Sequence, residues 1–366
     1  MKPDAVFMGE ALRLARKARG KTSPNPMVGA VVCKDGRKVS SGFHPAAGKP
    51  HAEVFAIERA GKEASGATLY VNLEPCCHFG RTPPCTDLII ERGIKRVVVG
   101  TLDPNPQVGG KGAEKLRQAG IDVSVGVLKE RCELLNEAYF KFISTGLPFV
   151  TLKLAQTLDG KIATSDGESK WISGEASRRM VHRLRAESDV VLVGRNTVEN
   201  DDPALTVRHA KPVRSDRPFR VVLDSRLRIA PSAAIFAEPK TAIIATSELA
   251  PAERERAFRD AGIEVVRTPP YDDKVDISEL LRELGRRDFI NVLVEGGAAV
   301  AWSLVERHLV DKIVLVIAPK ILGGRESLPS VSGEGFSRLA SAAMFEIQST
   351  RRLGGDLIIV AYPRGA

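Results

Sequence analysis

Apolar positions in the first 146 residues switch between helical spacing and the short runs that are typical of strands. Helices are predicted at Asp4–Arg19, from His51, after Pro84, at Gly112–Ala119 and at Lys129–Phe142. Strands are predicted at Val28–Val32, Lys38–Gly42, Thr68–Leu73, Arg96–Gly100 and Asp122–Val125. Asp35-Gly36, between the first two strands, is a strong hairpin signal. This alternation indicates a layered α/β sheet that is largely parallel after the opening hairpin.

A second series of strands and helices begins after a break at Ser144–Pro148. Its predicted strands are Phe149–Ala155, Val190–Val193, Arg220–Leu223, Thr241–Ala245, Asn291–Val294, Lys312–Ile317 and Leu357–Tyr362. Its predicted helices are Gly174–Ala186, Pro251–Ala261, Asp276–Gly285 and Ala298–His308. The chain is therefore expected to form two α/β domains, residues 1–146 and residues 147–366.

The composition is that of a globular protein and excludes several classes. No apolar run approaches the roughly 20 residues of a membrane span, and Met1–Gly20 has no signal-peptide core. Five cysteines, an odd number in a chain without an export signal, argue against a disulfide framework. A cytoplasmic protein without membrane partners is expected.

The net charge of +9 is concentrated in the first half. Residues 1–146 contain 22 Lys/Arg and 15 Asp/Glu, a net charge of +7. Such a basic half suits an anionic ligand, either a phosphorylated metabolite or a nucleic acid. The alternative is a solvated helix face, because part of the charge lies on Arg13, Arg16, Lys17 and Arg19.

A metal site is predicted from one histidine and two cysteines. His51 and Glu53 share the opening turn of a predicted helix, while Cys76 and Cys85 each follow a proline. One imidazole and two thiolates leave a fourth tetrahedral position for water, as in catalytic zinc sites. Glu53 is then the carboxylate that carries the proton from the attacking water to the leaving amine.

Other readings of these side chains remain open. Cys77 is not expected to bind, because adjacent cysteine side chains diverge too much to share one ion. His78 is a rival to His51, and a purely structural zinc site is a further alternative. Cys33 and Cys132 are interpreted as small core residues.

Four segments together resemble the bifunctional riboflavin-biosynthesis deaminase/reductase family. They are Pro24–Gly29 (PNPMVG), His51–Glu53 (HAE), Glu74–Cys85 (EPCCHFGRTPPC) and Asp103–Pro106 (DPNP). The resemblance implies a cytidine-deaminase-like three-layer α/β/α domain that deaminates a phosphoribosylated diaminopyrimidinone. It makes His51, Cys76 and Cys85 the zinc ligands and Glu53 the proton carrier. The residues expected to line the substrate pocket are Asn25, His44, Arg81, Asp103 and Asn105. Cys77 and Phe79 depart from the family pattern in this loop.

The second half has no G-x-G-x-x-G fingerprint. Instead, a predicted strand ends at Glu295 and is followed by Gly296-Gly297 and a helix. Glycines allow backbone amides to approach a ligand closely, and a helix start attracts a pyrophosphate. A tight turn that binds no ligand is the alternative.

Three further segments, Leu152–Lys161, Gly167–Ser173 and Gly194–Arg208, resemble the reductase half of the same family. The resemblance implies a dihydrofolate-reductase-like α/β domain that uses NADPH. The implied cofactor contacts are Ala155, Trp171, Thr197, Asp201, Ser225, Gly297, Ala298, Ala299, Val300, Ala301, Trp302 and Ser303. The implied substrate contacts are Lys153, Ser169, Arg185, Leu205, Arg208 and Glu295. Arg185 and Arg208 suit a sugar phosphate, and Lys153 and Glu295 suit proton transfer near the sugar C1 carbon.

The sequence thus predicts a two-step enzyme, with zinc-dependent deamination followed by NADPH-dependent reduction of the same phosphorylated intermediate. A homo-oligomer is expected. One competing hypothesis is a nucleic-acid deaminase, which the low aromatic content of 5% disfavours. Another is a non-enzymatic regulator whose second half senses NADPH.

Overall fold

The computed structural model describes residues 3–79, 83–209, 213–214 and 218–364. The chain divides into two compact units, residues 1–147 and residues 148–366. Among the described residues, no helix combines the length and apolar character that crossing a membrane requires.

The first unit contains a five-stranded sheet. Its strands are β1 (Gly29–Lys34), β2 (Arg37–Phe43), β3 (Thr68–Leu73), β4 (Arg96–Thr101) and β5 (Asp122–Val125). Its helices are α1 (Pro3–Ala15), α2 (Ala52–Ala60), α3 (Cys85–Glu91), α4 (Lys111–Gln118), α5 (Lys129–Leu135) and α6 (Glu137–Thr145). The strand order is β2-β1-β3-β4-β5, with β1 antiparallel to β2 and β3, and with β3, β4 and β5 parallel. The predicted hairpin and the parallel strands after it are confirmed.

Helices cover both faces of this sheet because successive residues of a strand point to opposite sides. Val31, Tyr70 and Val98 pack in a core with α1 and α5. Their neighbours Leu69 and Val97 pack in a second core with α2, α3 and α4. The first unit is therefore a three-layer α/β/α sandwich.

The prediction of one helix at Lys129–Phe142 is wrong, because Asn136 separates α5 from α6. Asn136 has φ −111° and ψ 23°, outside the helical region. Its side-chain oxygen accepts a hydrogen bond from Met27 N at 2.8 Å, and its Nδ2 donates to Met27 O at 3.0 Å. These long-range bonds hold the loop that contains Met27 and explain the interruption.

The second unit is built on a larger sheet. Its main strands are β6 (Phe149–Thr157), β8 (Val190–Gly194), β9 (Phe219–Leu223), β10 (Ala242–Ser247), β11 (Glu264–Thr268), β14 (Asn291–Glu295), β15 (Lys312–Ala318), β17 (Phe345–Leu353) and β18 (Asp356–Pro363). Short strands β7 (Lys161–Ala163), β12 (Pro270–Tyr271), β13 (Lys274–Val275) and β16 (Leu328–Pro329) form two small ribbons. The helices are α7 (Glu175–Glu187), α8 (Arg195–Asp201), α9 (Ala252–Asp260), α10 (Ile277–Arg286) and α11 (Ala298–Glu306).

The nine-stranded sheet has the order β11-β10-β9-β8-β14-β6-β15-β18-β17. The strands from β11 to β15 run parallel, whereas at one edge β18 pairs antiparallel with β15 and β17 pairs antiparallel with β18. The carboxyl ends of the parallel strands therefore share one edge, where open α/β sheets place their ligands. Helix α8 and strands β7, β11, β12, β13, β16 and β17 have no counterpart among the sequence predictions.

Candidate active sites

The first site lies where three separate segments of the first unit meet. His51 precedes α2, Cys76 follows β3, and Cys85 is the first residue of α3. The ligand atoms of these three residues all lie within 4.8 Å of one another. His51 Nδ1 is 3.2 Å from Cys85 Sγ and 3.5 Å from Cys76 Sγ. The three residues predicted to bind zinc are thus brought together.

Their electrostatics suit a cation. Hydrogen bonding to Cys85, reinforced by His51, lowers the pKa of the Cys76 thiol to about 4. The hydrogen bond to Cys76 raises the pKa of His51 to about 9, and the same neighbour raises the pKa of Cys85 well above its usual range. The cluster therefore already stabilises one thiolate.

The donor set fits zinc. Zinc–sulfur and zinc–nitrogen bonds of about 2.0–2.3 Å in a tetrahedron place neighbouring donors about 3.5 Å apart. The observed separations of 3.2 and 3.5 Å are close to this value. His78, the rival ligand, is not in the cluster of potential ligands found among the described residues, and its Nδ1 is buried without a hydrogen-bond partner there.

Glu53 lies in the first turn of α2 and is 3% exposed. No described residue forms a hydrogen bond with its buried Oε2 atom. Burial raises the pKa of Glu53, although the charge of His51 opposes the shift. A buried carboxyl oxygen without a hydrogen-bond partner is costly to maintain and is therefore a mark of function.

Two predicted substrate residues lie beside the metal ligands. Asn25 Nδ2 is 3.3 Å from His44 Nε2, and the His44 ring meets the His51 ring edge-on at 5.6 Å. The other ring nitrogen of His44, Nδ1, lies 3.0 Å from Pro50 O. Burial lowers the pKa of His44, so its neutral form is favoured. Arg81, also predicted to contact substrate, lies outside the described residues.

The other two predicted substrate residues share a loop after β4. Asp103 Oδ1 accepts a hydrogen bond from Asn105 N at 2.9 Å and another from the Tyr139 hydroxyl at 3.0 Å. Burial raises the pKa of Asp103, and Cys76 also contributes to this rise. Tyr139 was not predicted as a site residue, because it resembled an ordinary apolar position of a helix.

Glu74 is a second supporting residue that the sequence prediction missed. Its carboxylate accepts hydrogen bonds from the backbone N–H groups of Asp103 at 3.1 Å, Gly110 at 2.9 Å and Ala113 at 2.9 Å. Gly112 makes this approach possible, since an added Cβ would lie 2.2 Å from Pro75 O. The sequence feature that could have identified Glu74 is its position directly before Pro75-Cys76.

The second site is a cavity of about 1160 Å³ within the second unit. The predicted residues that line it are Lys153, Ala155, Ser169, Trp171, Arg185, Thr197, Asp201, Leu205, Arg208, Ser225, Glu295, Gly297, Ala298, Ala299, Val300 and Ser303. Ala301 and Trp302 do not line it. Ala301 is fully buried, and the Trp302 ring packs against Phe336 with a centroid distance of 5.0 Å.

A charged cluster lies at the base of this cavity. Lys153 and Glu295 are paired in register on the adjacent strands β6 and β14. Glu295 also forms a two-contact ion pair with Arg185, in which Arg185 Nη2 is 3.0 Å from Glu295 Oε2. Burial lowers the pKa of Lys153. Burial opposes ionisation of Glu295, but Arg185 and Lys153 outweigh it and lower the pKa of that carboxyl.

His182 is a cavity residue that the sequence prediction missed. Its Nδ1 accepts a hydrogen bond from Arg208 N at 3.2 Å. Burial, followed by the charge of Arg185, lowers the pKa of His182 to about 4. The neutral ring thus holds the backbone at Arg208 without adding a positive charge. The sequence feature that could have identified His182 is its position three residues before Arg185, which places both side chains on one face of α7.

Ser169 and the glycine turn after β14 complete the cavity. The Ser169 hydroxyl donates to Asp201 Oδ1 at 2.7 Å. Gly296 and Gly297 have φ values of +77° and +83°, which other residues rarely adopt. An added Cβ at Gly297 would lie 3.4 Å from Thr197 Oγ1, so the turn lies close to α8. This arrangement presents backbone rather than side chains to a ligand.

Comparisons with known proteins match each unit to a family. Residues 148–359 match the RibD C-terminal domain, and residues 1–101 match the cytidine and deoxycytidylate deaminase zinc-binding region. The riboflavin biosynthesis protein RibD of Aquifex aeolicus is 47% identical over 358 residues, which cover 97% of each chain.

Solved structures agree over the whole length. RibD of Acinetobacter baumannii (form 1) has a TM-score of 0.88 at 38% identity and covers 99% of both chains. A Thermotoga maritima protein described as a diaminohydroxyphosphoribosylaminopyrimidine deaminase/5-amino-6-(5-phosphoribosylamino)uracil reductase has a TM-score of 0.86 at 39% identity, with 99% coverage of both.

These matches confirm the predicted fold class, in which a cytidine-deaminase-like α/β/α unit precedes a dihydrofolate-reductase-like α/β unit. They also confirm the prediction of a bifunctional enzyme in riboflavin biosynthesis. The chain belongs to the RibD family, whose members join a zinc-binding deaminase to a reductase in one polypeptide.

Proposed function

We propose that the chain deaminates 2,5-diamino-6-(5-phosphoribosylamino)pyrimidin-4-one and then reduces the product with NADPH to 5-amino-6-(5-phosphoribitylamino)uracil. Residues 1–146 carry the first step with one zinc ion, and residues 147–366 carry the second. The name of the Thermotoga maritima relative supports these substrates. The observation on which the proposal rests is the convergence of His51, Cys76 and Cys85 beside the buried Glu53, whose Oε2 has no hydrogen-bond partner among the described residues.

In the deaminase, His51, Cys76 and Cys85 would hold the metal. When bound, zinc would act as a Lewis acid that makes hydroxide available near neutral pH. Glu53 takes the proton of the attacking water on its carboxylate and delivers it to the leaving amine, so that a C–O bond replaces the C–N bond and ammonia leaves. The raised pKa of Glu53 favours holding this proton between the two transfers.

The remaining residues of the first site bind and orient the pyrimidine. Asn25 and His44 lie beside the metal ligands and present amide and imidazole groups. Asp103 and Asn105 offer hydrogen-bond acceptors and a hydrogen-bond donor to the pyrimidine. Both lie in the loop that hydrogen bonds to the Glu74 carboxylate hold in place. Arg81 is suited to the substrate phosphate.

In the reductase, a bound nicotinamide cofactor would supply the hydride. The C1–O4 bond of the ribosylamine breaks as O4 takes up a proton and the amine nitrogen forms a C1=N iminium. The C1 carbon of this iminium then accepts the hydride, which leaves the open-chain ribitylamine. Lys153 and Glu295 are proposed to position the sugar and to move this proton. Arg185 and Arg208 are proposed to bind the phosphate of the sugar. Ser169 and Leu205 complete the substrate contacts. The proposed NADPH contacts that line the cavity are Ala155, Trp171, Thr197, Asp201, Ser225, Gly297, Ala298, Ala299, Val300 and Ser303.

A cytoplasmic homo-oligomer is also proposed. All five cysteines are free thiols, which suits a reducing compartment. Edge strand β17 exposes Ile347 at 59%, next to Met344 at 57%, and such apolar surface suits contact with another chain.

The proposal is tested with zinc-loaded full-length protein. Metal analysis is expected to find one zinc ion per chain, and addition of the diaminopyrimidinone should release one ammonia per substrate. NADPH oxidation should begin only after deamination and should start at once when the deaminated intermediate is supplied. Protein with full zinc content that releases no ammonia would refute the proposal for the first unit.

Tyr139→Phe should reduce deaminase kcat/KM about threefold to tenfold, because Asp103 loses a hydrogen bond worth about 1 kcal/mol. Zinc content and NADPH oxidation on the supplied intermediate should not change. Tyr70→Phe is the matched control, because its hydroxyl donates to Asp4 Oδ1 at 2.8 Å, and Asp4 is not one of the proposed site residues. Equal losses in the two variants would mean that Tyr139 only stabilises the unit.

A further inference from the structure

Helix α7 holds the segment that leads to Arg208 through two hydrogen bonds to its backbone. Arg208 N donates to His182 Nδ1 at 3.2 Å, and Arg185 Nη1 donates to Thr206 O at 3.2 Å. His182 and Arg185 lie three residues apart and therefore share one face of α7. Leu205, at the start of the segment, is 4% exposed and packs in the core. The backbone that leads to Arg208 is thus fixed at three points.

The side chain of Arg208 is not fixed in the same way as its backbone. It is exposed and lines the cavity of the second unit. Among the described residues, no hydrogen bond or ion pair holds its guanidinium group. An arginine loses rotamer freedom when it binds an anion. A backbone that also had to be ordered would add to that loss, so the bond at Arg208 N lowers the cost of binding.

His182 can accept this bond because its ring is neutral. The residue is 7% exposed, and the His209 ring packs edge-on against it with a centroid distance of 4.7 Å. Burial lowers the pKa of His182 to about 4, and the charges of Arg185, His209 and Arg208 add to the shift. Glu295 opposes it. Near neutral pH, Nδ1 therefore carries a lone pair rather than a proton.

A neutral acceptor suits a place beside a phosphate better than the charged alternatives do. A carboxylate at position 182 could accept the same bond, but it would attract the guanidinium groups of Arg185 and Arg208 and repel a phosphate. A protonated imidazole would have no acceptor atom for Arg208 N and would add a third cation to the site. The neutral imidazole holds the backbone and leaves both guanidinium groups to the ligand.

We propose that His182 is a positioning residue of the reductase, which places Arg208 for the substrate phosphate through the bond at Arg208 N. His182 thereby makes the second unit prefer the phosphorylated intermediate over the dephosphorylated nucleoside. This inference rests on the proposed reductase function, in which Arg208 binds the phosphate of the sugar, and it identifies the residue on which that contact depends.

The test is NADPH oxidation by the zinc-loaded full-length protein, with the deaminated intermediate and with its dephosphorylated nucleoside as substrates. His182→Leu should raise KM for the intermediate about tenfold and leave kcat within about twofold, because a phosphate contact made equally in the ground and transition states affects KM alone. For the nucleoside, kcat/KM should stay within about twofold, because it has no phosphate for Arg208 to bind.

His182→Asn should bring KM for the intermediate back to within about threefold of the wild-type value. Asparagine Oδ1 branches from Cγ as histidine Nδ1 does, so it can accept the bond from Arg208 N. His182→Gln places its amide one bond farther from the backbone and should behave like His182→Leu. The comparison of the two amides also serves if the leucine variant does not fold.

Ser177→Ala is the matched control, because Ser177 is a fully buried residue of α7 that donates to Asp356 Oδ2 at 2.5 Å and does not line the cavity. It should lower the urea midpoint of the second unit and leave KM unchanged. Unchanged KM in His182→Leu and His182→Gln, equal losses on both substrates, or no recovery in His182→Asn would overturn the positioning role and leave the reductase intact. If the wild type oxidises NADPH with neither substrate, the proposed reductase function fails and this role fails with it.

Discussion

Glu53→Gln should reduce ammonia release about 10²- to 10⁴-fold while zinc remains bound, because glutamine keeps the shape of the side chain but cannot carry a proton. The three proposed metal ligands are other residues, so the zinc content should stay at the wild-type value. Folding stability should not fall, since Oε2 of Glu53 has no hydrogen-bond partner among the described residues that the substitution could remove. Loss of activity with unchanged or increased folding stability is typical of substitutions at catalytic groups.

The measurement combines metal analysis, ammonia release and NADPH oxidation on the same preparation. NADPH oxidation with supplied deaminated intermediate should remain within about twofold, which shows that the second unit is intact. Glu58→Gln is the matched control, because it removes an exposed carboxylate from the same helix, α2. Full ammonia release by Glu53→Gln would remove Glu53 from the mechanism, and loss of zinc would make it a ligand instead.

Glu295→Gln should destabilise the second unit by about 3–5 kcal/mol, because it leaves a buried charge without its partner. The side chains of Arg185 and Glu295 are only 13% and 8% exposed, so water cannot replace the lost carboxylate fully. Lys153 lies half-buried on the neighbouring strand, and Glu295 is the charge that opposes the lowering of its pKa. Without that carboxylate, Arg185 and Lys153 would repel each other, and reduction should be lost.

Tryptophan fluorescence during urea denaturation reports this change specifically. The chain has two tryptophans, Trp171 and Trp302, and both lie in the second unit. Glu199→Gln is the control, because the Arg195–Glu199 pair is more exposed and should contribute at most about 1 kcal/mol. Zinc content and ammonia release report the first unit and should be unchanged. A loss below about 1 kcal/mol for Glu295→Gln would contradict the assigned importance of the buried pair.

Local signals predicted most of the fold. Strands β3 and β5 were predicted with the bounds that the structure shows, since each is a short run between clear turn signals. Strand β17 was missed because seven of its nine residues are exposed and mostly polar. It is a strand only because its backbone pairs with β18. Asn136 similarly ends a helical pattern through its bonds to Met27, which lies far away in the chain.

The sequence by itself determined the chemistry of the first site. An imidazole, two thiols and a carboxylate of the right types stand at recognisable turns, and His51 and Glu53 share one turn through local geometry alone. Only the tertiary structure decided that Cys76 and Cys85 meet His51, that Glu53 has no partner for Oε2 among the described residues, and that Glu74 and Tyr139 support Asp103.

The second site depended on the tertiary structure still more. Lys153 and Glu295 face each other because β6 and β14 are neighbours in register, and strand order leaves no local mark in a sequence. Helical and strand periodicity reports only which face of an element is buried; which elements become neighbours is decided by long-range packing.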